Sequence, residues 1–146
     1  MKLTMTSLMN SGDSQRVPDS LLLTYKKVIE VMAFSEFELK KIEKALAKFM
    51  KIRRPPAEIR SEVDLGYRLS GQSLELFEIR PQWDNPNIIR EHPFAKATYV
   101  TTQKSWKIFW HRADLKWHGY KPDLTVPSIE KFFEVVNADE YGCFFG

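Results

Sequence analysis

Between Ser35 and Lys51 the apolar residues Leu39, Ile42, Leu46, Phe49 and Met50 recur at the three-to-four spacing of one helix face. Lys40, Lys41, Lys44, Lys48 and Lys51 fall within an arc of about 100° on the opposite face. Ser35-Glu36-Phe37-Glu38 opens the run as a capping box, in which the Ser35 hydroxyl accepts from the Glu38 N–H and the Glu38 carboxylate accepts from the Ser35 N–H. Pro55-Pro56 ends it, because neither ring can donate and each disfavours the α conformation in the residue before it.

From residue 62 the period shortens to two. Val63, Leu65, Tyr67 and Leu69 alternate with Glu62, Asp64 and Arg68, and Ser70-Gly71-Gln72 predicts a turn into a strand over 73–80, buried on both faces. Pro81, Asp84-Asn85-Pro86 and His92-Pro93 predict a loop between residues 81 and 94. A second strand pair follows at 95–102 and 105–112, turning at Gln103-Lys104, and then a long connector over 113–126. Pro127, in a first helical turn, introduces a short helix with Ile129, Phe132, Phe133 and Val136 on one face. The tail from Tyr141 to Gly146 is aromatic enough to be expected in the core. The pattern predicts an α+β fold: a four-stranded antiparallel sheet of two hairpins, helices packed mainly on one face, in helix-strands-helix order.

Residues 1–34 are expected to be an N-terminal extension of a single domain spanning 35–146. Within it, 1–17 show no period and are expected to be disordered. In 19–33, Leu21, Leu22, Tyr25, Val28, Ile29 and Met32 predict an amphipathic helix. An alternative start at Met32 would make residues 1–31 an upstream addition.

A length of 146 residues suffices for one core without a metal or disulfide staple, and a lone cysteine excludes a disulfide framework. The longest apolar run, Val31–Phe34, is far too short for a membrane span, and Leu21–Leu23 is cut off by Thr24 and Lys26-Lys27 before it could form a secretory core. The expectation is a soluble, cytoplasmic protein that does not engage membranes. Net charge is only +3, but it is segregated. Residues 35–60 hold eight Lys/Arg against four Asp/Glu, 104–121 five against one, and 123–146 one against five. Two basic segments point to an anionic partner.

The stretches FSEFELKKIEK, RRPP, FEIRPQW, AKATYV, WKIFWHRADLKWHGYKP and DEYGCFFG follow one another in an order that resembles the bacterial domain-of-unknown-function family 3024, over about residues 34–146. The resemblance implies a small single-domain bacterial protein. It supplies no catalytic or ligand residues, so function rests on the side chains.

Segment 104–121 combines Trp106, Trp110, Trp117, His111, His118 and Tyr120 with Lys104, Lys107, Arg112, Lys116 and Lys121. Cations hold phosphates and aromatic faces stack on unpaired bases, a mixture suited to single-stranded nucleic acid. Trp106, Ile108 and Trp110 share one strand face and are better explained as core. That leaves Arg112, Lys116, Trp117, His118 and Tyr120 as candidate ligand-binding residues, joined by Arg80 and by Lys44 and Lys48 of the basic helix face. On that face Lys40–Lys44 and Lys44–Lys48 repel at i, i+4, which a bound anion would relieve.

Asp114-Leu115-Lys116 is an acid-x-Lys fragment of the kind found in two-metal nucleases, with Glu62, Asp64, Glu75 and Glu78 as strand carboxylates. The competing expectation is that Asp114 caps a turn or pairs with Arg112 or Arg80. Glu78 and Arg80 share a strand face and are expected either to join Arg112 and Asp114 in an ion-pair network or to line a small anion pocket. His111, Asp114 and His118 match no standard zinc spacing, and Cys143 is expected to be a small buried hydrophobe. No phosphate-binding glycine loop, nucleophile elbow or C-x-x-C pair occurs, so no cofactor or resident metal is implied. The favoured function is a binding module for an anionic partner such as single-stranded nucleic acid, in a chain with no recognisable catalytic set. A metal-dependent nuclease-like enzyme using Asp114 and Lys116, or a protein–protein accessory factor, is the alternative.

Overall fold

A computed structural model describes residues 34–146 and the dipeptide Leu3–Thr4. The helix expected over 19–33, and the disorder expected over the rest of 1–17, lie outside the described residues. In chain order the elements are β1 (Leu3–Thr4), α1 (Glu36–Arg53), a 3₁₀ turn (Ala57–Ile59), β2 (Asp64–Ser70), β3 (Ser73–Gln82), β4 (Asn85–Val100) and β5 (Ser105–His111). After these come β6 (Trp117–Gly119), a second 3₁₀ turn (Lys121–Asp123), β7 (Thr125–Val126) and α2 (Ile129–Ala138).

The fold is α+β, as expected, but the antiparallel sheet has seven strands rather than four. Its order is β1-β2-β3-β4-β5-β6, and β7 shares the outer edge of β5 with β6. The two additional strands beside β5 come from the segment 113–126 that looked like a plain connector. Trp117–Gly119 pairs with Phe109–His111, and Val126 pairs with Trp106. Segments this short carry no readable period of their own; β5 recruits them by offering an unpaired edge.

The second correction concerns 81–94. Asn85 already pairs with Gln82, so β3 and β4 continue as a two-stranded ribbon where a loop was expected. β2 ends its pairing at Asp64 opposite Ile79, and β5 reaches only Ala95 of β4. The ribbon therefore extends beyond both neighbours. Proline cannot donate to a ladder, but the outer edges of a free ribbon need no donor, so Pro81 and Pro86 are tolerated there. Pro93 sits at a register shift opposite Phe77, where the chain bulges at Phe94.

Both helices cover one side of the sheet. Leu39, Ile42, Ala45, Leu46 and Phe49 of α1 and Ile129, Phe132, Phe133 and Val136 of α2 bury against Leu65, Tyr67, Leu69, Leu74, Leu76, Ala95, Ala97, Trp106 and Ile108. The capping box of α1 forms as expected, with the Ser35 N–H donating to Glu38 Oε2 at 2.9 Å and the Glu38 N–H to Ser35 Oγ at 3.2 Å. Helix α2 begins at Ile129, two residues after Pro127, because the Ser128 hydroxyl caps it by accepting from the Lys131 N–H. At its other end Asp139 adopts a left-handed conformation, and its two carboxylate oxygens accept from the Phe144 and Phe145 N–H groups. That anchors the aromatic tail: Phe144 is buried, and Phe145 stacks on Phe94. Arg54, the C-cap of α1, grips Asp64 of β2 through two parallel hydrogen bonds of 2.9 Å.

Candidate functional site

Alternation along β5 divides its side chains between two environments. Trp106 and Ile108 are buried under the helices, and Trp110 packs against that core. The intervening Lys107, Phe109 and His111 must face the other way, onto the side of the sheet that neither helix covers. Pairing then builds a patch around them. His111 lies opposite Trp117 of β6, Phe109 opposite Gly119 of β6 and Lys96 of β4, and Lys107 opposite Thr98 of β4 and Thr125 of β7.

The patch holds three rings and two cations. Trp117 meets His111 edge-on, with centroids 4.9 Å apart and planes at 71°. The Lys96 ammonium lies 4.9 Å from the Phe109 centroid and 4.7 Å from the Trp117 centroid, a cation shared between two π faces. Phe109, His111, Trp117 and Lys96 are half-buried, and Lys107 is exposed. Towards β2 the same face becomes a charge ladder, since the register sets Arg68 beside Glu75 and Glu75 beside Lys96. There Arg68 also covers the Phe77 ring at 4.8 Å and binds Glu91. The β2–β3 half of the face is thus sealed by its own pairs, while the β5–β6 half keeps its aromatics at the surface.

Of the residues singled out from sequence, Trp117 belongs to this patch. Lys116 is exposed in the preceding turn. Tyr120 does not belong: it is 2% exposed, stacks on Phe144 at 4.9 Å, and burial pushes its phenol above the ordinary value. The 113–126 stretch shows no strand period in sequence, so nothing there marks the Tyr120 ring as core. In fact its N–H donates to the Ile108 carbonyl and ties the chain back to β5. Arg112 lies over the Trp110 ring at 5.1 Å, and His118 pairs in register with Trp110, so both lie towards the helix side. Arg80 is in the ribbon, held by Glu78 at 2.6 Å. Lys44 and Lys48 are exposed on α1, in the layer behind the sheet. The eight residues do not form one surface. Phe109 and Lys96 were missed, although the strict alternation of Lys107, Phe109 and His111 with Trp106, Ile108 and Trp110 was there to be read.

Asp114 closes the β5–β6 turn. Its Oδ1 accepts from the Lys116 N–H at 3.0 Å and its Oδ2 meets His118 Nε2 at 2.7 Å, while Leu115 takes a φ of 62°. The His118 hydrogen bond, aided by the Lys116 N–H and by the charges of His118 and Arg112, holds the Asp114 carboxyl below the ordinary range against the opposing effect of desolvation. Asp114 therefore acts as a turn cap paired with histidine, and neither Arg112 nor Arg80 is its partner. Glu78 and Arg80 pair with each other rather than with Arg112 and Asp114. Among the described residues no three His, Cys, Asp or Glu side chains are grouped to hold a metal ion. Burial and the Asp139 charge push the Cys143 thiol up, with Arg112 opposing, which leaves little thiolate at neutral pH.

A family model described as Domain of unknown function (DUF3024) matches residues 34–146. The chain belongs to the DUF3024 family. The match begins at Phe34, whose ring stacks on Trp106 at 5.7 Å, and the DUF3024 segment carries both helices and strands β2 to β7 described above. No curated protein and no solved structure matches the chain. No helix among the described residues is long and apolar enough to cross a membrane.

Proposed function

We propose that this DUF3024 protein is a binding module for single-stranded nucleic acid, which lies across the face of the sheet opposite α1 and α2. The observation that carries the proposal is the grouping of Phe109, His111 and Trp117 with Lys96 and Lys107 on that face. Unpaired bases expose π faces that stack on such rings whatever their sequence, and ammonium groups beside the rings meet the phosphates. Lys116, exposed in the adjoining turn, extends the cationic border. A duplex hides its base faces and gains only the phosphate contacts.

The test is fluorescence anisotropy with single-stranded DNA, single-stranded RNA and duplex oligonucleotides over a range of salt, with and without Mg²⁺. Single strands should bind more tightly than duplex, and Mg²⁺ should not be required. Lys107→Ala should reduce the slope of log affinity against log salt by about 0.7, as expected for one lost single-strand phosphate contact. Absence of binding to any of these probes at low salt would remove the proposal, as would Mg²⁺-dependent cleavage of the probe.

A further inference from the structure

The face that carries Phe109, His111 and Trp117 does not end where β5 does. β5 pairs with β4 only as far as Ala95, opposite Trp110, so His111 and its partner Trp117 stand at the root of the β3–β4 ribbon. Cross-strand partners point to the same side of a sheet, and alternation carries that side outward. Lys96 is opposite Glu75, Pro93 opposite Phe77, Glu91 opposite Ile79 and Ile89 opposite Pro81. Arg68 covers Phe77 and also binds Glu91, so this row stays on one side across the bulge at Phe94. Past Glu91, whose charge Arg68 neutralises, the row is apolar. Ile79 and Pro81 are half-buried, and Ile89 is 58% exposed.

The row ends at Trp83, in the two-residue turn that joins β3 to β4. Trp83 is 93% exposed, so its ring contributes nothing to the core. Side chains fix the turn that presents it: Arg90 Nε donates to Gln82 Oε1 at 2.8 Å, and Gln82 Nε2 donates to Asp84 Oδ1 at 2.5 Å. A ring on a pre-shaped tip loses little entropy when a ligand stacks on it. The tip has no surplus charge for a phosphate, because Glu78 holds Arg80 at 2.6 Å and Asp84 offsets Arg90. What it offers is a π face.

We infer that Trp83 is a second stacking platform for the single strand, which runs from His111 and Trp117 outward along β4 to the ribbon tip. The inference rests on the reading of the Phe109–His111–Trp117 patch as a single-strand site. Every base has a π face, so a neutral ring adds affinity without sequence preference and without a phosphate contact. Phe77 is level with the ribbon root, and the six residues from there to Trp83 cover about 20 Å at about 3.3 Å each. Stacked nucleotides advance about 3.4 Å each, so roughly six span that distance. Two rings set that far apart make binding depend on length: a trinucleotide occupies one of them, and a dodecanucleotide reaches both.

The test follows the indole N–H signals of the full chain by two-dimensional NMR, assigned with Trp83→Phe and Trp117→Phe, as oligothymidylates are added. Both lengths should move the Trp117 signal, and only the dodecanucleotide should move that of Trp83. Trp83→Ala should cut the affinity advantage of the dodecanucleotide over the trinucleotide about 5- to 140-fold, as expected for one lost base stack. Trp83→Phe should restore most of that advantage, because a phenyl ring also stacks. A Trp83 signal that stays still while the dodecanucleotide moves Trp117, or an advantage unchanged in Trp83→Ala, would overturn the inference and leave the patch reading in place. If neither signal moves with either length, the patch reading falls and takes the inference with it.

Discussion

The two faces of β5 are built from similar residues and meet different surroundings. Trp106, Ile108 and Trp110 on one side and Phe109, His111 and the neighbouring Trp117 on the other are both aromatic-rich rows. Under the helices, Trp106 is locked between Phe34 at 5.7 Å and Tyr99 at 5.2 Å, and its area is spent on stability. On the free face the rings have lysine above them instead of aliphatic side chains, and they stay half-exposed. An aromatic residue's role here follows from which layer its strand face meets, and composition alone does not separate the two.

The largest effect should come from the covered face. Trp106→Ala is expected to cost about 3–5 kcal/mol of stability by leaving a cavity between Phe34, Tyr99 and Ile129. Thermal and urea unfolding report it, and a loss below about 1 kcal/mol would mean that the helix layer is loosely packed over β5.

The free face divides in turn. On β2 a Cβ added at Gly66 would stand 2.5 Å from Phe77 Cε2, and Phe77 is fully buried with Arg68 above it. Gly66→Ala should therefore destabilise by about 1–3 kcal/mol, measured by the same unfolding curves, even though the residue lies on the side away from α1 and α2. On β6, Trp117→Ala should leave those curves nearly unchanged and weaken single-strand binding by about 1–3 kcal/mol. If Trp117→Ala instead unfolds the protein, the contrast between the two faces fails.

Acid tests the link between helix layer and sheet. Desolvation raises the Asp64 carboxyl, but the Arg54 hydrogen bonds, the Leu65 N–H and the charges of Arg54 and Arg60 outweigh it and hold the group below its ordinary 3.8. A carboxyl with a depressed folded-state value adds stability that is complete above the unfolded value and disappears as pH falls through the folded one. Stability should thus decline on acidification below about pH 4, and Asp64→Asn should flatten that part of the profile. An unchanged slope in the variant would assign the acid sensitivity elsewhere.

The smallest effect belongs to α1. Lys44→Glu turns two repulsions, with Lys40 and Lys48, into attractions of about 0.2–0.5 kcal/mol each. The melting temperature should rise slightly or hold, with nucleic-acid binding unaltered, because Lys44 is exposed in the layer behind the sheet. A parallel loss of binding would extend the interface to the helix layer and erase the distinction between the faces.

The sequence by itself determined the elements whose periods are long enough to repeat. The α1 stripe, its capping box, the β2–β3 turn, the Trp106–Ile108 core face and the burial of Phe144 are local patterns that any packing of this chain must respect. Membership of the family was legible for the same reason, since the ordered motifs span residues 34–146. Only the tertiary structure decided the rest. Prolines that break a strand inside a sheet are harmless on a ribbon whose neighbours stop at Ile79 and Ala95, and sequence does not show where a neighbour stops. Three-residue β6 becomes a strand because β5 has a free edge, which sends His118 towards the helices and Trp117 to the open face while Tyr120 enters the core. The candidate site unites Lys96, Phe109, His111 and Trp117 across three strands, and register is a property of pairing, not of any one segment.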